Sequence, residues 1–229
     1  MFGTLFQSSD VVSTSFGVAT VATLATAVLA LLGLSWVADR WRVPVALSGV
    51  ALLASGLHYL DAAQIWFSTQ QMTSAPRYVG WFVVQPIQVA SVFFLARIAG
   101  PVPVGVFWRT VAAAILMVLC RYLGDAGIFN PTLGVLLSIA FWLYILGELY
   151  FGPMSEAVRK SSRPIRLGYF WIRLILTIGW AIYPILFFVD VVIGAGHARS
   201  VIVLYTLADL VNLITVSMIV LAAAGKERF

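Results

Sequence analysis

Nine side chains that can ionise or hydrogen-bond stand inside otherwise apolar stretches of this sequence: His58, Asp61, Gln85, Gln88, Ser91, Glu148, Arg173, Asp209 and Asn212. Their chemistry is proton carriage, or hydrogen bonding to a neighbouring helix or to the polar end of a bound molecule. Covalent catalysis has little to work with: the chain has two histidines, no nucleophile motif and no metal-ligand spacing, so an enzyme is not expected and no metal site is expected. The single cysteine, Cys120, excludes an intrachain disulfide. Asp209 poses the sharpest question. It is the one acid in Tyr205-Thr206-Leu207-Ala208-Asp209-Leu210-Val211-Asn212-Leu213, with a leucine at i+4. A lone carboxylate in hydrocarbon is either neutralised or paired. Arg77 is one candidate partner; a protonated or water-bonded acid in a polar seam is the other, and periodicity does not choose between them.

Spacing relates some of the others. His58 and Asp61 are at i, i+3 and could pair on one helix face, although a buried, hydrogen-bonded histidine is the plainer expectation. Gln85 and Gln88 share the same spacing, and glutamine in a membrane helix often bonds across to a neighbour, worth roughly 1 kcal/mol. Pro86 between them frees a backbone carbonyl and kinks its helix. Asp61, Glu148 and Arg173 are expected near the interfaces, as solvated helix ends.

The elements that hold these residues follow from composition. Of 229 residues, 62% are hydrophobic and 10% charged, with mean hydropathy +1.00; soluble domains carry roughly 25% charged residues. Seven apolar runs are long enough to cross ~30 Å of hydrocarbon. They fall at about 15–37, 43–67, 77–99, 107–123, 131–151, 168–193 and 198–224. The segment 1–15 has no basic stretch or cleavage site of a signal peptide. The most polar loop is 152–167, and Gly100-Pro101, Gly124-Asp125-Ala126-Gly127 and Gly194-Ala195-Gly196 break the helices. One domain, 1–229, is expected: an all-α bundle of seven membrane-spanning helices. The formal charge of +5 is explained by membrane topology rather than by nucleic acid. Arg40, Arg42, Arg97, Arg109, Arg159, Lys160, Arg163, Arg166, Lys226 and Arg228 share one side under a seven-span count. The positive-inside rule makes that side cytoplasmic and the N-terminus external, in a multi-pass protein of the cell (inner) membrane.

Three segments resemble microbial (type 1) rhodopsins of the proteorhodopsin branch. The third span reads Arg77-Tyr78-Val79-Gly80-Trp81-Phe82-Val83-Val84-Gln85-Pro86, similar to Arg-Tyr-x-Asp-Trp-x-x-Thr-x-Pro. The sixth reads Trp180-Ala181-Ile182-Tyr183-Pro184, similar to the Trp-x-x-Tyr-Pro segment along retinal. The seventh carries Asp209, followed in that family four residues later by the retinal-holding lysine. Weaker echoes are Leu57-His58-Tyr59, Gly124-Asp125-Ala126-Gly127, and Trp142-Leu143-Tyr144 with Glu148. The resemblance covers nearly the whole chain. It implies a retinal-shaped slot lined by Trp81, Gln85, Trp142, Trp180, Tyr183, Pro184, Tyr205, Asp209 and Leu213.

The departures from the family pattern are coordinated. The lysine position is Leu213, and the only lysines are Lys160 and Lys226. An aldehyde forms a Schiff base only with an amine, so a covalent retinal is not expected. The counterion position is Gly80, the hydroxyl one turn on is Val84, and the proton-donor position is Ser91, about 16 Å from Gly80 along the helix. His58 stands where the family sets a histidine beside that counterion. Arg77, Trp81, Pro86, Trp180, Tyr183, Pro184 and Asp209 are retained, and no charges invade the lipid face. A fold retained without its photochemistry points to a membrane interaction or assembly subunit, oligomerising with itself or with a retinal-binding rhodopsin. The alternatives are a non-covalent binder of retinal, a carotenoid or another elongated lipid, and a light-independent ion pathway.

Overall fold

The computed structural model describes the backbone of residues 10–71, 74–193 and 199–227. The break at Gly194-Ala195-Gly196, Arg228 and most of the segment before Ser15 lie outside the described residues. Seven long helices form the expected all-α bundle: α1 (Val11–Gly33), α2 (Arg42–Thr69), α3 (Ser74–Ala99), α4 (Val104–Asp125), α5 (Pro131–Phe151), α7 (Arg163–Ile193) and α8 (Arg199–Lys226). A short α6 (Pro153–Arg159) lies between α5 and α7. Each long helix contains a span apolar enough to cross a membrane. Each long helix packs on the next, and α8 returns to α1, so the seven close into a ring, with α6 tucked against α3 and α5.

Local chemistry explains where the helices begin and end, and corrects several expected boundaries. The first span begins at Val11, four residues before the expected start, because the Asp10 carboxylate caps it, accepting from the Val12 N–H at 3.1 Å. The same carboxylate accepts from the Trp66 indole at 2.5 Å and so pins the start of α1 to the end of α2. Gln70 ends α2 in the left-handed conformation, at φ 53°. Asn130 caps α5, with Pro131 in its first turn. The stretch 152–167, expected as loop, holds α6 and the first turn of α7. Pro153 starts α6, and its Met154 and Val158 are buried in the main core, which stabilises a helix this short.

The core lies along the ring's interior. Its main cluster includes Trp41, Phe93, Ile145, Leu149, Ile172 and Leu176. A second cluster of Val12, Phe16, Tyr59, Trp66 and Ile202 joins α1, α2 and α8. Glycines permit a close crossing between α4 and α5. A Cβ on Gly134 would meet the Cys120 carbonyl oxygen at 2.7 Å and Gly124 Cα at 2.8 Å.

Candidate functional site

Three helices supply hydrogen-bond donors to Asp209 on α8. The Tyr59 hydroxyl, from α2, donates to Oδ2 at 2.6 Å. The Tyr183 hydroxyl, from α7, donates to Oδ1 at 2.5 Å. The Trp81 indole N–H, from α3, lies 3.1 Å from both oxygens. A hydrogen bond contributes about 0.5–1.5 kcal/mol net, and these bonds join four helices at one point. Asn212, one turn further along α8, donates to the Gly179 carbonyl at 3.1 Å and to the Tyr183 oxygen at 3.3 Å. A Cβ on Gly179 would collide with the Asn212 amide, which explains why a glycine faces it.

Arg77 does not meet Asp209. Its guanidinium carbon sits 4.2 Å from the centre of the Tyr205 ring, within range of a cation–π contact, and the two residues form no ion pair. A small cavity is lined by both of them, together with Phe16, His58 and Tyr59 among others. Of the two expectations for Asp209, the polar seam is the one the structure has. The reason is geometric: Tyr59, Trp81 and Tyr183 reach the carboxylate first, and the planar guanidinium stacks on Tyr205.

Gly80 opens room that His58 occupies. A Cβ on Gly80 would come within 2.9 Å of His58 Cγ and Cδ2. The imidazole packs on Tyr59, ring centres 5.2 Å apart, and makes no hydrogen bond to any described residue. The expected His58–Asp61 pairing is absent, as is the expected hydrogen-bonded histidine, because Asp61 lies on the outward face of α2 while His58 turns inward.

The glutamines are also not the helix glue that their spacing suggests. Both are buried, Gln85 at 7% and Gln88 at 5% exposure, yet Gln85 Oε1 and Gln88 Nε2 have no hydrogen-bond partner. Neither amide is bonded to another helix; both face a cavity. Glu148 and Arg173 differ from solvated helix ends too. Glu148 is paired with Arg109 at 2.8 Å, its side chain 12% exposed. Arg173 is half-buried, its guanidinium carbon 4.6 Å from the Tyr150 ring centre, and its Nε is unpartnered.

Leu213 is 4% exposed and packs with Ala27 and Ala30 of α1 and Ala51 and Leu52 of α2, with Val84 alongside. Ser91 is sealed between helices. It donates to the Pro44 carbonyl at 2.9 Å and lies 3.2 Å from the Ser48 hydroxyl. Lys160 and Lys226 are both exposed, and Lys226 sits roughly 20 Å along α8 from Leu213.

Two cavities meet at Trp81, Gln85, Trp180 and Tyr183. The larger has about 540 Å³ of empty space, counting its mouth, and runs between α3, α4, α5 and α7. It is lined by Trp81, Gln85, Trp142, Trp180, Tyr183, Pro184 and Tyr205, all named from sequence, together with Met117, Val118, Arg121, Val135, Ser138 and Ile139. The smaller, about 390 Å³, is lined by Ser55, His58, Gly80, Val84, Gln88, Asp209, Asn212 and Leu213 among others. Aromatic contacts hold the junction: Trp81 meets Tyr183 edge-on at 5.0 Å, and Tyr183 stacks on Tyr205 at 6.2 Å. The Trp142 indole donates to the Leu176 carbonyl at 3.0 Å, one turn before Trp180. Asp209 and Leu213, the other expected lining residues, face the smaller cavity and not the larger.

Several contributors were not identified from sequence. Tyr59 was legible only as part of a weak echo, without its role on Asp209. Asp125 lay in another echo; it pairs with Arg121 and accepts from the Tyr78 hydroxyl, contacts to which the i, i+4 spacing of Arg121 and Asp125 was the available pointer. Ser48 gave no signal. Among the described residues no three His, Cys, Asp or Glu side chains gather as a metal site.

Comparison with known proteins agrees with this geometry. The blue-light absorbing proteorhodopsin of Gamma-proteobacterium Hot 75m4 is 28% identical over 221 residues, covering 96% of this chain and 88% of that protein. The green-light absorbing proteorhodopsin of Gamma-proteobacterium EBAC31A08 is 27% identical over 222 residues, covering 96% and 89%. The crystal structure of blue light-absorbing proteorhodopsin from Med12 superposes with a TM-score of 0.82 at 26% identity, covering 95% of this chain and all of that one. The seven apolar helices and these relatives make this a multi-pass cell-membrane protein. The family described as bacteriorhodopsin-like protein matches residues 10–227, so the chain belongs to the microbial rhodopsin family, with proteorhodopsins among its relatives.

Proposed function

We propose that this chain is a rhodopsin-fold membrane protein that forms no retinal Schiff base, pumps no protons by light, and serves as an assembly subunit with itself or with a retinal-bearing rhodopsin. The observation that carries the first half is Leu213. It stands one turn beyond Asp209, in the seam, with hydrocarbon packed around it and no amine within reach. Gly80, Val84 and Ser91 support the same reading, since none of them is a carboxylic acid able to carry a proton through the membrane. The basic end of the bundle, where Arg40 of the α1–α2 connection pairs with Glu227 at 2.8 Å, is taken as cytoplasmic.

Assembly is supported by the outer face of α2. Asp61 and Gln64 are exposed there, one turn apart, inside a span otherwise lined by Val50, Leu53 and Leu57. Among the described residues neither has a hydrogen-bond or ion-pair partner. Polar groups facing hydrocarbon are costly, and contact with a second chain would relieve that cost. The test is co-expression with a tagged proteorhodopsin in mild detergent. The complex is expected to co-purify, and Asp61→Leu with Gln64→Leu is expected to reduce it several-fold. Recovery of each protein alone from native membranes would overturn the assembly reading. Borohydride reduction with retinal, followed by intact mass, is expected to show no retinyl adduct.

A second reading is favoured by the open slot. A non-covalent binder of retinal, a carotenoid or another elongated lipid would fill space that a tightly packed interior does not leave empty. The close packing of Ser91 on Pro44 and of Leu213 on α1 and α2 speaks against a light-independent ion pathway.

A further inference from the structure

Gln85 and Gln88 are buried in the seam, each with one side-chain atom that no other described residue satisfies. Both are more than nine-tenths buried. One leaves an acceptor without a donor, Oε1 of Gln85, and the other a donor without an acceptor, Nε2 of Gln88. Buried polar groups without partners cost free energy comparable to a lost hydrogen bond, and native interiors keep few of them. Both side chains line the cavity that Leu213 closes, and Gln85 also lines the aromatic slot beyond. At i, i+3 on α3 their Cβ atoms are ~5–6 Å apart. One small group can therefore reach both amides.

From this we infer that the slot binds, without a covalent bond, an elongated apolar alcohol whose hydroxyl sits between the Gln85 and Gln88 amides. A hydroxyl donates once and accepts twice. It serves the empty acceptor of one amide and the empty donor of the other. An aldehyde only accepts and leaves an amide oxygen unmet. A hydrocarbon end meets neither. A carboxylate would place a second acidic group in the cavity that Asp209 already lines, while Arg77 is turned away onto Tyr205. The apolar body follows from the lining: Gln85 also faces the neighbouring cavity, walled by Trp81, Trp142, Trp180 and Pro184. This inference rests on the non-covalent reading of the slot, and it adds the end group that the slot selects.

The test compares molecules that share one polyene body and differ only at the end group. Full-length protein in lipid nanodiscs is titrated with all-trans-retinol, all-trans-retinal and all-trans-retinoic acid, read by quenching of tryptophan fluorescence. Retinol is expected to bind about tenfold or more tighter than the other two, the cost of leaving one buried amide group unpaired. Gln85→Leu with Gln88→Leu is expected to remove that preference while all three ligands still bind, with circular dichroism and gel filtration unchanged. Equal affinity of retinol and retinal, or a preference that survives the double variant, overturns the inference. No binding of any of the three also overturns it and means that water alone satisfies the two amides. Failure of the underlying reading is separable, because a retinyl adduct trapped by borohydride would show that covalent attachment occurs.

Discussion

The Tyr183 hydroxyl donates to Asp209 at 2.5 Å, tying α7 to α8 at the point where the two cavities share a wall. The Asp209 carboxyl is a junction that accepts from neutral donors of three helices. Tyr183→Phe removes one donor and is expected to lower stability by about 1–2 kcal/mol. Asp209→Leu strands the Tyr59, Trp81 and Tyr183 donors together and is expected to cost about 3 kcal/mol or more. Thermal unfolding of both variants in the same detergent checks the order. A smaller loss for Asp209→Leu than for Tyr183→Phe would contradict it.

Restoring an amine should restore a pigment. Leu213→Lys places an amine one turn from Asp209, on the wall of the cavity that holds the carboxylate. With added retinal it is expected to give a visible band that survives gel filtration and disappears with hydroxylamine. A colourless product from folded protein would mean that the slot is closed to the polyene.

Gly80→Asp, the other half of such a reversion, is expected to fail alone. Its side chain must displace His58, whose ring atoms stand 2.9 Å from the new Cβ. The strain is expected to cost about 1–3 kcal/mol. His58→Ala in the same chain should recover most of that loss, a coupling that a double-mutant cycle measures. Additive losses would show that His58 moves aside freely.

Gly179→Ala is expected to break the α7–α8 contact, because the added methyl occupies the place of the Asn212 amide. Asn212 then loses its bonds to the Gly179 carbonyl and to Tyr183, for a combined cost of about 2–4 kcal/mol. Adding Asn212→Ala should recover part of it. Equal stability of Gly179→Ala and the parent would refute the contact.

Gly134→Ala is expected to be worse than either, since its methyl meets backbone atoms of α4 that cannot rotate away. The yield of monodisperse protein should fall sharply, whereas Gly147→Ala, with open space around it, should express normally.

By itself, the sequence determined what depends on length, composition and inventory. Seven apolar stretches of membrane-spanning length require helices, because backbone groups in hydrocarbon must be satisfied within the segment. The motifs around Arg77, Trp180 and Asp209 identified the fold, and an inventory of two lysines, both far along the chain from Asp209, left no amine for the seam. Asn130-Pro131 marked the start of α5. What the sequence did not determine was the rotation of each helix. A helix that is apolar nearly all round carries no stripe to say which face turns inward. Tertiary packing alone therefore decided that Tyr59, Trp81 and Tyr183, from three helices, converge on Asp209 while Arg77 stacks on Tyr205. It decided that Asp61 faces outward while His58 fills the room left by Gly80. It also decided that Gln85 and Gln88 face an open space and not a neighbouring helix, since a pair at i, i+3 shares a face but does not say what that face meets.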